Sequence, residues 1–151
     1  MTPGIRPPHL RWAAIALVAL GGTVGVAARE VLTLIVPTLG ALPLAIAIVN
    51  LFGAFLLGLL YEALTRADPT RSTARSLRLL LGTGFCGGFT TYSALAVDTA
   101  LLLGDGELAT AAAYALGTVV LGACATWGGI AIGHAIATRM PQTSAQQGAT
   151  S

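Results

Sequence analysis

The chain has 151 residues, of which 55% are apolar and 9% charged, with a mean hydropathy of +0.80. A soluble domain carries roughly a quarter charged residues, so too few are present here to cover a water-facing surface. The eight basic residues are all arginine, and a formal charge of +2 scattered along the chain leaves no footprint for nucleic acid.

Residues 1–11 form a short N-terminal segment with Arg6 and Arg11. The run that follows, WAAIALVALGGTVGVAA, imitates a signal peptide. It continues past Arg29 into VLTLIV, and three longer apolar runs come after it, so a retained first span is the expectation. A spanning helix needs about 20 mostly apolar residues. Four stretches qualify, at roughly 12–36, 41–64, 77–103 and 108–138. PTLGALP, bounded by Pro37 and Pro43, suits a tight connection between the first two. TRADPTRSTARS, residues 65–76, is the substantial polar loop, and GDGE, residues 104–107, joins the last two spans. The tail, residues 139–151, is expected to be disordered. These elements predict an all-α membrane protein with one four-helix domain over residues 12–138 and no room for a soluble catalytic domain.

Arginine placement gives an orientation. Arg6, Arg11, Arg66, Arg71, Arg75, Arg78 and Arg139 all fall on one side, and the other two loops have none. The positive-inside rule then puts both termini in the cytoplasm of a multi-pass protein of the cell membrane. Cys86 and Cys124 sit in apolar runs and read as packing residues; no CxxC or Cys/His cluster suggests zinc. Gly21–Gly25, Gly84–Gly88 and Gly129–Gly133 have the GxxxG spacing that lets helix backbones approach in lipid.

Polar side chains at membrane depth are site candidates. They are Arg29 beside Glu30 on the first span, Asn50 on the second, and Thr90, Thr91, Tyr92, Ser93 and Asp98 on the third. On the fourth, Tyr114, Thr118, Gly122 and Thr126 recur every four residues along one face. The competing readings are ordinary ones: Arg29 and Glu30 at the headgroups, Asn50 as helix glue, and Tyr61, His9 and His134 as interface anchors. GTGFCG, residues 82–87, matches GxGxxG only by letters, since it lies within a membrane span. No nucleophile–base arrangement appears, so no enzyme is expected.

The third span carries GFCGGFTTYSAL, residues 84–95. Gly87–Gly88 followed by hydroxyls predicts a broken helix, with backbone carbonyls left without partners. Such backbone survives at membrane depth only when buried in protein or lining a cavity. Freed carbonyls are hard oxygen ligands, suited to a dehydrated monovalent cation, so the break reads as an ion site or constriction.

These residues resemble the CrcB/Fluc fluoride channels. GGTVGVAARE is similar to the family's GGxxGAxxRY, IVNLFGAFLLG to VNxxGxFxxG, and GTGFCGGFTTYSAL to GxxGGxTTFSTF. The resemblance covers residues 12–138. It implies an antiparallel, dual-topology-type dimer that exports cytoplasmic fluoride passively and confers fluoride resistance. It also implies a central structural sodium ion, not transported, held by the backbone carbonyls of Gly87 and Thr90. The implied fluoride pathway runs along Asn50, Thr91, Tyr92, Ser93, Leu95, Tyr114, Thr118 and Thr126, with Arg29 in the vestibule. Val26, Glu30 and Leu95 depart from the family pattern, and Leu95 replaces an aromatic ring on the anion path. Two alternatives stand beside this reading: a non-conducting structural subunit of a heterodimeric channel, and a small proton-coupled multidrug transporter. The one-sided arginines and Leu95 favour a paralogous partner chain over self-pairing.

Overall fold

The computed structural model describes residues 12–38, 42–65 and 72–139. The N-terminal segment with Arg6, His9 and Arg11, the loop residues Arg66 and Arg71, the Arg139 side chain and the tail lie outside the described residues. The helices are α1 (Trp12–Ile35), α2 (Leu44–Thr65), α3 (Ser72–Leu77), a π-helical segment (Arg78–Cys86), α4 (Gly87–Phe89), α5 (Tyr92–Gly104) and α6 (Leu108–Arg139). Four stretches among the described residues are long and apolar enough to cross a membrane: Trp12–Ile35, Leu44–Thr65, Ser72–Gly104 and Leu108–Thr138. At 1.5 Å per residue, α2 alone is roughly 33 Å long, matching a hydrocarbon core of about 30 Å.

The boundaries differ from the sequence expectation at two places, each for a local reason. α2 starts at Leu44 rather than near 41 because Pro43 disfavours helical geometry in the residue before it. The third span starts at Ser72 rather than 77, because STARSL is a competent helix former and takes up part of the expected loop. Arg78 also donates to the Leu64 carbonyl, tying this end of the third span to the end of α2.

Glycine contacts set the architecture. A Cβ on Gly21 would overlap the Leu80 carbonyl oxygen, and one on Gly25 the Phe85 carbonyl. From the other side, Gly84 and Gly88 meet the backbone of Val18, Gly21 and Gly22. Two GxxxG motifs thus interlock, seating α1 on the π-helical segment and α4. A second pair forms where Gly58 meets the Thr126 backbone and Gly129 meets that of Phe55 and Leu59, joining α2 to α6. These two helices run in the same direction: Tyr114 lies at the level of Pro43, and Gly133 at that of Glu62.

Larger side chains fill one buried cluster, Ile46, Leu95, Leu102, Ala111 and Tyr114, between α2, α5 and α6. Leu20, Leu34, Leu101, Val120 and Trp127 face outward instead. Apolar residues all round a helix are what lipid on one side and small-residue packing on the other require. The turn from α5 to α6 uses Gly106 at φ 80, a conformation that favours glycine.

The third span is broken, but not at Gly87–Gly88. Gly87 is helical at φ −66, ψ −35, and the chain leaves the helix at Thr90 (φ −79, ψ 154) and Thr91 (φ −150, ψ 113). Gly88 is used for contact with Gly22 of α1, whereas a Cβ on Gly87 would meet nothing within 4 Å; glycine accepts helical angles when the surrounding helix imposes them. Two β-branched threonines take the extended residues, which suit them better.

Candidate functional site

Thr91 begins α5 as its N-cap: its Oγ1 accepts from the Ala94 N–H at 3.2 Å. In an unbroken helix that N–H would close on the Thr90 carbonyl. The Thr91 N–H, which would close on the Gly87 carbonyl, donates instead to Asn50 Oδ1 at 2.8 Å. The two carbonyls expected as cation ligands are therefore among those that lose their helical donors at the break. Of the neighbouring carbonyls, that of Gly88 accepts from the Arg29 guanidinium at 3.2 Å, and that of Cys86 from Thr90 N and Oγ1 at 3.0 and 2.9 Å.

Asn50 grips Thr91 at both ends. Its Nδ2 donates to the Thr91 carbonyl at 3.0 Å while its Oδ1 accepts from the Thr91 N–H. A carboxamide is the side chain that can do both at once, and it retains one further N–H. Arg29 is half-buried and its guanidinium is directed at the break, onto the Gly88 carbonyl.

An open groove of about 490 Å³ runs past the break. Asn50, Gly87, Thr90, Thr91, Tyr92, Leu95, Thr118 and Thr126 line it together, so residues from α2, the third span and α6 converge on it. None of its lining residues is charged. Tyr92 is 80% exposed and points away from its own chain's core, whereas Leu95 is buried.

Three expected residues lie outside this lining. Ser93 is exposed and paired with Thr91 Oγ1 at 3.1 Å. Arg29 sits on the α1 side of the break. Tyr114 is buried, and its hydroxyl donates towards Asp98 Oδ2 at 3.1 Å, with the Pro43 carbonyl at 3.3 Å. The hydroxyls of Thr118 and Thr126 donate one turn back, to Tyr114 and Gly122 carbonyls at 2.7 and 3.0 Å. Their O–H groups must turn from these carbonyls before they can donate to an anion.

Sequence reading missed Gly53, Leu57, Thr83 and Cys86, which also line the groove. It also missed that His134 Nδ1 lies 3.2 Å from Glu62 Oε1, linking the ends of α2 and α6. Motif spacing flagged Gly53 only as a letter of its motif, and the His134–Glu62 pair depends on a helix register that no local signal reveals.

A membrane-spanning helical bundle, with a two-residue extended break, an amide clamp and an uncharged groove, has the parts of a channel. The chain belongs to the CrcB family, described as "CrcB-like protein, Camphor Resistance (CrcB)", whose pattern matches residues 16–130. It is 42% identical over 133 residues to the fluoride-specific ion channel FluC 2 of Leifsonia xyli subsp. xyli, covering 88% of this chain and 92% of that one. A FluC of Chlorobium phaeobacteroides is 42% identical over 113 residues, covering 74% and 86%. FluC 3 of Streptomyces avermitilis is 41% identical over 141 residues, covering 93% and 68%. The family is one of ion channels, not of enzymes, and the chain is a multi-pass membrane protein.

Proposed function

We propose that this chain forms a fluoride channel that lets cytoplasmic fluoride leave the cell passively. The observation that carries this reading is the Asn50–Thr91 clamp on a broken span. It holds irregular backbone open beside an uncharged groove at membrane depth, where an unsatisfied group costs several kcal/mol. An anion entering a low-dielectric path needs weak donors in series to replace its water. The spare Asn50 N–H is one. The Thr118 and Thr126 hydroxyls become others once they turn from their own helix. The ring edge of Tyr92 presents positive charge density. An uncharged lining suits passage, since it offers the ion no deep trap.

The residues present fit a structural sodium ion. The Gly87 and Thr90 carbonyls have lost their helical donors, and neutral oxygens suit a dehydrated monovalent cation. Bound there, sodium would supply fixed positive charge against carbonyl dipoles. Two carbonyls make half a cage, and an antiparallel partner chain would supply the rest.

The partner is a paralogous chain of opposite orientation. Seven arginines on one side and none in the other two loops hold the termini of this chain in the cytoplasm. A chain fixed in one orientation does not pair antiparallel with itself. Leu95, on the groove where an aromatic is usual, agrees with a partner that provides the intact path. The test is fluoride efflux from liposomes, with termini mapped by accessibility. The chain alone is expected to insert one way and conduct poorly, and a co-expressed paralogue to restore efflux. Robust efflux from a purified, mixed-orientation homodimer refutes the heterodimer. Absence of efflux in every assembly refutes the channel.

A further inference from the structure

α2 passes the break with two residues almost one turn apart, Asn50 and Gly53. Asn50 fixes Thr91. Gly53 is buried and faces Thr90: a Cβ there would overlap Thr90 Cγ2 and come within 3.2 Å of Phe89 Cδ1. This differs from Gly21, Gly25, Gly58 and Gly129, where the overlap is with a backbone carbonyl and the glycine serves helix approach. At Gly53 the partner is the side chain of the first non-helical residue. That side chain is held at its other branch as well, since Thr90 Oγ1 donates to the Cys86 carbonyl at 2.9 Å. With the hydroxyl tied back and the methyl seated on Gly53, Thr90 has little freedom to turn.

We propose that Gly53 is a positioning residue: its bare Cα is the seat that fixes the orientation of Thr90, and through it the direction of the Thr90 carbonyl. This rests on the channel reading above, in which that carbonyl faces an ion. An added methyl at Gly53 displaces Thr90, because the tied hydroxyl leaves the Cγ2 branch nowhere else to go. Phe89 yields by a few tenths of an ångström on its own.

The test compares the wild-type chain with Gly53→Ala, Thr90→Ser and the double variant, each full length and in membranes with whatever partner gives efflux. Thr90→Ser keeps the hydroxyl and its bond to Cys86 while deleting the methyl that Gly53→Ala would strike. Two readouts are taken: amide exchange at Thr91 and Ala94, whose N–H groups are bonded to Asn50 and Thr91, and fluoride efflux. Gly53→Ala is expected to speed exchange at both amides and lower efflux about tenfold, and the double variant to return to the level of Thr90→Ser, the coupling seen for residues in contact. Unchanged exchange in Gly53→Ala, or a loss that Thr90→Ser does not relieve, overturns the assignment. If Gly53→Ala does not assemble, assembly of the double variant supports the seat, and its failure alongside intact Thr90→Ser rejects it. A wild-type chain without fluoride flux sinks the channel reading, and the exchange data then still decide the role of Gly53.

Discussion

At Asn50 the amide has one hydrogen left once both ends of Thr91 are bonded, so the residue is at once clamp and donor. Asn50→Asp removes the donor to the Thr91 carbonyl and puts a carboxylate against it, on the proposed anion path. The unsatisfied carbonyl alone costs about 1–3 kcal/mol, and the negative charge repels fluoride as well. Efflux from vesicles is therefore expected to be abolished while the variant still inserts; wild-type efflux would show that neither role matters. Asn50 was legible in the sequence as a polar residue out of place, but its two-ended grip on residue 91 was not. Tyr114 shows a different limit. Its four-residue spacing with Thr118 and Thr126 placed it on one face with them, and its hydroxyl is turned to Asp98, a partner on another helix that periodicity cannot supply.

Among elements, the third span was the one that local rules described least well. Its break was evident from Gly87, Gly88 and the hydroxyls behind them, but propensity placed it at the glycines. Contact with Gly22 on α1 keeps Gly88 helical, and the N-cap at Thr91 sets where the helix resumes. The π-helical stretch before it left no sequence signal, because its wider turns are shaped by the backbone of α1 against which they lie. The GxxxG pairs, by contrast, were readable, since close approach needs small residues at fixed spacing. This gives a sharp contrast at the α2–α6 contact. A Cβ on Gly129 would overlap the Phe55 carbonyl, whereas at Gly128 nothing lies within 4 Å. Gly129→Ala is expected to lose about 1–3 kcal/mol through overpacking, and Gly128→Ala to be close to neutral. Thermal unfolding of the two variants in detergent checks this, and equal stabilities would contradict the packing.

For the whole molecule, the described residues make two helix pairs, α1 with the first half of the third span and α2 with α6, leaving the groove open along one flank. Four spans were plain from hydropathy alone; which helix lies beside which was not, because membrane helices are apolar on every face. With Gly87 and Thr90 carbonyls as its proposed ligands, sodium would act as a structural ion. Exchanging sodium for a large organic cation is expected to lower both efflux and the melting temperature, with no sodium flux accompanying fluoride. Isotope uptake measures the last point, and co-transport of sodium would refute a purely structural role. Orientation belongs to the same scale. Cysteines placed near each terminus of a chain expressed by itself are expected to react only with cytoplasmic-side reagents, and labelling from both sides would remove the case for a second kind of subunit.

The hydrogen bonds from Asn50 to Thr91 bridge 41 residues of chain. A ribosome delivers α2 to the membrane well before residue 91 has left the exit tunnel. Until then the Asn50 amide has no partner in hydrocarbon, and a break without α2 beside it would leave the Thr91 peptide group equally stranded. Lateral release of α2 into lipid is thus unfavourable on its own. The second and third spans are expected to leave the translocon together, as a hairpin. Nascent chains truncated ahead of Thr91 would then hold α2 at the insertion machinery, detectable by crosslinking, and Asn50→Leu would set it free early.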